Sequence, residues 1–326
     1  MRSLITGTGS YVPEKILTNA DLERMVETND QWIVERTGIK ERHIAAPEQA
    51  SSDLAVEASK RALEMAGMKA EDLDLIVVGT ISPDFQFPSC AAVVQGKLGN
   101  KKAFVFDVSA ACAGSLYALS VADRFVVSGA VKNALVIGVE TLSRITDWTD
   151  RNTCVLFGDG AGAMVLQPGS DDRRGLASVK LHTDGSLVPI LYMPGGGSKE
   201  PISQKIIDEK SHFVKMNGRE VFKVAVRALD ESCREALAAE KLSPSDVTWV
   251  CAHQANKRII DATLERLGIP PEKCWMNVHK YGNTSSASVP MTLDEANRAG
   301  WLKPGDVVLM TAIGAGMAWG AGVIRW

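Results

Sequence analysis

The 326-residue chain reads as a duplicated α/β protein, two halves each built on mixed but mostly parallel strands covered by helices. Three features point there. The apolar runs at 75–79 and 247–253 are short, β-rich and unbroken, as strands buried on both faces should be. Helical patterns at 52–66 and 221–239 precede them, and strands alternating with helices imply parallel sheets under helical cover. The same order of elements then recurs with an offset of roughly 170 residues, far longer than a solenoid period.

Taken in chain order, Ala66-Gly67-Met68-Lys69-Ala70-Glu71-Asp72-Leu73-Asp74 leads into the first run, as Leu242-Ser243-Pro244-Ser245-Asp246 leads into its counterpart. Lys97-Leu98-Gly99 precedes a strand pattern at 103–108, and Arg266-Leu267-Gly268 precedes one at 274–278. Gly129 opens a turn into 134–138, as Gly300 does into 307–310. The polar, turn-rich stretch 167–175 divides the chain into halves of 1–172 and 173–326. A second irregular stretch, 193–201, reads as an exposed loop, and sites usually collect where two such halves meet.

Composition narrows the function. Hydrophobic residues make up 45% and charged residues 23%, with a formal net charge of −3, so no general attraction to nucleic acid or anionic membrane is expected. No run approaches a membrane span and the N-terminal apolar stretch is too short for a signal peptide, which makes the cytoplasm the expected location. The six cysteines are scattered without a CxxC pair, unlike a disulfide scaffold or a zinc ribbon, so reduced thiols and no metal are expected.

One of those cysteines stands apart. The chain passes from 104–108 through Ser109-Ala110-Ala111 to Cys112, and the helical pattern 116–127 follows at once. A thiol at a helix N-terminus meets free N–H groups and the positive end of the macrodipole, which favour a thiolate. In the second half, His253 lies just beyond the run 247–252, at its carboxyl end, where open α/β sheets place ligands. Asn283 follows the pattern at 274–278, close to the position related to Cys112 by the repeat. A pseudo-two-fold packing of the halves would bring Cys112, His253 and Asn283 together. The glycine-rich Phe157-Gly158-Asp159-Gly160-Ala161-Gly162-Ala163 lacks the GxGxxG spacing and runs into Met164-Val165-Leu166, so it reads as a turn into a strand.

Over essentially its whole length the chain resembles the β-ketoacyl-[acyl carrier protein] synthase III family of the thiolase-like fold. The residues that carry the resemblance are Ala110-Ala111-Cys112-Ala113-Gly114, the glycine-rich 157–163, His253-Gln254-Ala255-Asn256 and Tyr281-Gly282-Asn283-Thr284-Ser285. Asp30-Gln31-Trp32-Ile33 and Arg36-Thr37-Gly38-Ile39 add an N-terminal signature. The resemblance implies a five-layered αβαβα duplication working as a homodimer. It also implies a Cys-His-Asn triad at Cys112, His253 and Asn283, and a decarboxylative condensation of a short acyl-CoA, acetyl-CoA above all, with malonyl-[acyl carrier protein]. Acyl-CoA is then a substrate, and no cofactor is required.

Further roles follow from the same resemblance. Backbone N–H groups of Cys112 and Ala315 would form the oxyanion hole, Ala315 standing where the family turn is usually all glycine. Trp32 and Arg151 would sandwich the adenine of CoA, with Arg36 at the phosphates and Thr28 nearby; Asn152 follows Arg151 where glycine is frequent. Gly218, Phe222, Ala255 and Asn256 would line the pantetheine tunnel. Lys223, Lys257 and Arg258, within a region that includes Gln254, Ala255 and Asn256, would receive the acidic carrier protein. Phe87 would close the acyl pocket across the dimer and favour short primers.

Rival readings are a Cys-His-Asn condensing enzyme of secondary metabolism or long-chain head-to-head condensation, and a non-catalytic subunit that only binds carrier protein. A degradative thiolase would need a second catalytic cysteine, an elongating synthase a second histidine in place of Asn283, and a cysteine hydrolase would not use the CoA signatures.

Overall fold

The computed structural model describes residues 1–170 and 173–326, so the division expected at 172/173 lies outside the described residues. Ser3–Tyr11, Gly160–Pro168, Ala134–Glu140, Leu75–Gly79 and Phe104–Val108 form one five-stranded sheet, side by side in that order. Gly160–Pro168 alone is reversed, antiparallel to both neighbours, while Leu75–Gly79 is parallel to both of its own. The second sheet repeats the plan with Gly175–Thr183, Ala318–Arg325, Val307–Gly314 and Trp249–Ala252, and here Ala318–Arg325 is the reversed strand. Leu75 pairs with Ala134 as Trp249 pairs with Val308, so a single offset relates the two registers.

Helices Gly114–Val127 and Ser288–Arg298 lie between the sheets and touch both. Sandwiched on two sides, Gly114–Val127 buries Leu116, Ala118, Leu119, Ala122 and Val126. Ser51–Ala66 and Cys90–Leu98 cover the outer face of the first sheet, and Gly218–Ala239 and Lys257–Leu267 that of the second, which completes five layers. Ser51–Ala66 is typical of the outer helices. The Asp53 carboxylate accepts from the Ala50 N–H at its start, Leu54, Ala58 and Ala62 face the core, and Gly67 closes it at φ 64°.

The strand expected at 274–278 does not form. Only Cys274 bridges to Val250, and Val278–Tyr281 turns into a short helix. The cause is the Gln254 side chain: its Oε1 accepts from the N–H groups of Asn277 and Val278, both at 3.0 Å, and its Nε2 donates to the carbonyls of Ala252 and Trp275. One buried amide thus replaces a length of sheet ladder and frees the chain to bend toward Asn283.

The glycine-rich motif does lead into a strand, Gly160–Pro168, and its glycines serve the join between the halves. A Cβ on Gly158 would sit 2.3 Å from the Tyr281 carbonyl oxygen, and one on Gly162 2.6 Å from the Met291 nitrogen. Gly162→Ala is therefore expected to destabilise the protein by about 1–3 kcal/mol. Gly96, inside the helix Cys90–Leu98 with nothing within 4 Å of its would-be Cβ, is the control. Gly96→Ala should stabilise by about 0.5–1 kcal/mol, and thermal melting of the two variants checks the opposite signs.

Candidate active site

Cys112 sits in the single turn Ala111–Ala113, between the strand Phe104–Val108 and the helix Gly114–Val127. The preceding residue, Ala111, takes a left-handed φ of 45°, and the equivalent residue of the second half, Ser285, takes 49°. Each sharp reversal sets the following side chain, Cys112 or Ser286, at the mouth of a helix between the sheets. The strict structural partner of Cys112 is therefore Ser286, and Asn283 lies three residues before it. Gly314 lets the second half approach: a Cβ there would stand 2.3 Å from the Cys112 nitrogen.

A cavity of about 490 Å³ opens between the halves, and Cys112, His253, Asn283 and Ala315 all line it. Burial pushes the Cys112 thiol up to about 12; a hydrogen bond from Ser285 opposes this, and the charge of Glu140 adds to it. His253 is held at the end of Trp249–Ala252 by its backbone N–H, which donates to the Thr311 carbonyl at 2.8 Å. Burial lowers its pKa to about 3, so the imidazole is neutral. Among the described residues neither ring nitrogen has a hydrogen-bond partner, which leaves both for a ligand. Asn283 is fixed from both ends of its peptide, donating to the Leu156 carbonyl and accepting from the Gly158 N–H. Its side-chain Oδ1 accepts from the Ser285 N–H at 2.9 Å, so the amide's NH₂ end is the one left to the cavity.

The same cavity is lined by Gly218, Phe222, Ala255 and Asn256. Asn256 caps the helix Lys257–Leu267 and donates from Nδ2 to the Arg36 carbonyl, tying this wall to the helix Asp30–Thr37. That helix presents Trp32, with the Arg36 guanidinium 4.6 Å and the Arg151 guanidinium 5.1 Å from its ring centre. Arg151 also donates to the Glu27 carbonyl beside a surface depression, and the hydroxyl of the neighbouring Thr28 is buried without a partner among the described residues. Lys223, Lys257 and Arg258 are exposed on adjacent helices, Arg258 over the Phe222 ring at 5.6 Å. Gln254 differs from expectation: 1% exposed and saturated by internal hydrogen bonds, its side chain cannot meet a carrier protein. Phe87 lies outside this cavity, with 85% of its surface open.

Residues 106–185 match the family model described as 3-oxoacyl-[acyl-carrier-protein (ACP)] synthase III, and residues 237–326 match its C-terminal model. A beta-ketoacyl-[acyl-carrier-protein] synthase III of Caldanaerobacter subterraneus subsp. tengcongensis is 53% identical over 322 residues, 99% of this chain and 97% of its own. The chain belongs to the β-ketoacyl-[acyl-carrier-protein] synthase III family. A second member, from Xanthomonas campestris pv. campestris, is 52% identical over 99% of this chain and 98% of its own. The crystal structure of the 3-oxoacyl-[acyl-carrier-protein] synthase III of Aquifex aeolicus VF5 superposes with a TM-score of 0.93, at 47% identity, covering 99% of this chain and all of that one. The thiolase-like five-layered fold and the acyltransferase, condensing chemistry of fatty-acid synthesis follow with the synthase III family.

Three parts of this synthase III site escaped sequence reading. Glu140 ends an otherwise apolar strand and is fully buried, and that lone acid was the available signal. Ser285 ends the motif Tyr281-Gly282-Asn283-Thr284-Ser285, where nothing in the sequence marks it out beside Asn283. Apolar residues of 188–216, Leu191, Met193 and Met216 among them, line the cavity from the segment around the expected exposed loop, where no periodicity announced them.

Two measurements check this geometry. Gln254→Leu should cost about 2–4 kcal/mol, because it strands the N–H groups of Asn277 and Val278, and should show as a lowered melting temperature. The His253 imidazole should stay neutral at pH 5, where a solvent-exposed histidine is protonated, as read from its ring ¹⁵N shifts.

Proposed function

We propose that the chain catalyses the initiating condensation of type II fatty-acid synthesis, joining a short acyl-CoA, with acetyl-CoA as the favoured primer, to malonyl-[acyl carrier protein]. The observation that carries this reading is the convergence of Cys112, His253 and Asn283 on one cavity whose outer wall is Gly218, Phe222, Ala255 and Asn256. Cys112 Sγ attacks the thioester carbonyl, CoA leaves, and the acyl group stays on the cysteine. The backbone N–H groups of Cys112 and Ala315 receive the oxyanion of that step.

In the second step the malonyl thioester loses carbon dioxide, and its enolate attacks the acyl-cysteine carbonyl, releasing Cys112. The enolate oxygen takes hydrogen bonds from His253 Nε2–H and the Asn283 NH₂ group. A neutral imidazole suits this role, since it donates a hydrogen bond without surrendering a proton to the enolate carbon. Trp32 and Arg151 part to admit the adenine between them, and Arg36 and Thr28 lie near the phosphates. The exposed Lys223, Lys257 and Arg258 attract the acidic carrier protein. Phe87, with Phe85 beside it, offers an apolar protrusion to a second copy of the chain, and the homodimer works in the cytoplasm without a cofactor.

Intact-mass analysis after incubation with acyl-CoA should show one acyl adduct, discharged on adding malonyl-[acyl carrier protein] and missing from Cys112→Ala. An undiminished adduct in that variant would reject the nucleophile. His253→Ala and Asn283→Ala should still accept some acyl group but lose malonyl decarboxylation, by roughly 10²–10³ for each donor removed. Arg258→Glu should raise KM for the carrier-protein substrate by roughly tenfold at low salt, with kcat nearly unchanged and the difference fading as salt rises.

A further inference from the structure

Glu140 lies beneath the nucleophile, and nothing in the condensation scheme uses it. It has no exposed surface. Its Oε2 accepts from Ser82 Oγ at 2.5 Å, the Ile81 N–H at 3.1 Å and Thr80 Oγ1 at 3.3 Å. Its Oε1 accepts from Ser285 Oγ at 3.1 Å. All four donors are neutral, so this buried carboxylate is solvated by hydroxyls and one amide, with no cation among them. Ser285 lines the same cavity as Cys112, its turn Ser285–Ala287 packs on the turn Ala111–Ala113, and its N–H holds the Asn283 side chain. The hydroxyl that donates to the buried acid therefore stands beside the nucleophile's turn.

We infer that Glu140 is the proton acceptor for Cys112, acting through the Ser285 hydroxyl. As Sγ attacks the acyl carbonyl, the thiol proton passes to Ser285 Oγ while the Ser285 proton passes to Glu140 Oε1. The sulfur lone pair forms the new C–S bond and the bond to the CoA sulfur breaks; CoA leaves as the thiolate and takes a proton from water, while Glu140 keeps the thiol proton and returns it to Cys112 when the second step releases that sulfur. The inference rests on Cys112 being the nucleophile.

The alternative acceptor is His253. Burial leaves its imidazole a weak base, at about 3, whereas burial raises the Glu140 carboxyl to about 7. A group titrating near neutrality is ionised often enough to accept and basic enough to be useful. Few other charges face Glu140. Its partner strands Leu75–Gly79 and Gly160–Pro168 and the turn Ser285–Ala287 carry no titratable side chain. Cys90 on the helix Cys90–Leu98 faces it as a thiol pushed up by burial and then by Asp84, Asp107 and Glu140. Asp159, beside its register partner Gly160, is turned to Ala45 and Ser143. On the packed helices, Asp53 pairs with Lys97, Asp123 with Arg124 and Asp294 with Arg298, while Glu295 is held by Trp275, Asn277 and Tyr281.

The test is alkylation of Cys112 by iodoacetamide between pH 5.5 and 9.5, read by peptide mass on the full chain without CoA or carrier protein. The wild-type rate should climb through an inflection near 7. Glu140→Gln should abolish the inflection and slow alkylation at pH 7.5 by roughly 10². Ser285→Ala should do the same, and the double variant should be no slower than either. Alanine suits the backbone at Ser285, since Ala111 holds nearly the same φ. A merely electrostatic role predicts the opposite sign: removing a negative charge near the thiol would make Glu140→Gln alkylate faster, and that result overturns the relay. A retained inflection in either variant overturns it as well. Should Glu140→Gln melt early, Ser285→Ala alone decides. A wild-type Cys112 unreactive at every pH would sink the nucleophile itself, and the relay with it.

Discussion

The structure depends on backbone meeting backbone across the pseudo-dyad. Gly138 would drive a Cβ to 2.1 Å from the Ser286 carbonyl oxygen, and Gly162 to 2.6 Å from the Met291 nitrogen. Gly314 stands equally close to the Cys112 nitrogen. No side chain fits at these points, so the two sheets and the helices between them reach a separation that only glycine permits. That approach lets Cys112, carried by the first half, share a cavity with His253 and Asn283, carried by the second.

The same closeness sets the electrostatics. A site sealed between two sheets desolvates every ionisable group in it, raising the Cys112 thiol and the Glu140 carboxyl and depressing His253. Each shift favours the neutral form, so the resting centre carries little charge of its own. In the proposed reaction, donors held by backbone geometry would act where charge develops, in a medium of low polarisability, without reorganising. A neutral histidine and an asparagine suit that medium, since a cation in their place would need burial and a counter-ion.

Much of this was legible from residues alone. The strand patterns at 75–79 and 104–108, the helix 52–66 and the repeat that relates the halves all reflect local periodicity and composition. The convergence of Cys112, His253 and Asn283 on one cavity could be read because each stands beyond the end of a strand pattern. What stayed hidden depends on long-range side-chain contacts. The resemblance puts Gln254 in the carrier-protein region with Lys257 and Arg258, yet its amide closes the bend that replaces the strand expected at 274–278. The exact partner of Cys112 depends on the left-handed turns at Ala111 and Ser285, where neither residue is the glycine that would have signalled them.

Duplication explains why the centre is asymmetric. Aligned by their registers, Gly79, Cys112 and Glu140 of the first half correspond to His253, Ser286 and Gly314 of the second. At these three paired positions the two halves differ in a complementary way. Where the first half carries Cys112, the second supplies Gly314, which leaves the Cys112 N–H uncovered by any side chain. Beside the turn that carries Ser286 the first half supplies Glu140 instead. Ser286 there donates inward to the Gly79 carbonyl at 2.7 Å, so its hydroxyl is engaged within the protein. The second turn thereby meets a buried acid, to which the Ser285 hydroxyl donates. Their position against Cys112 follows from the pseudo-symmetry itself, because the two turns pack on each other.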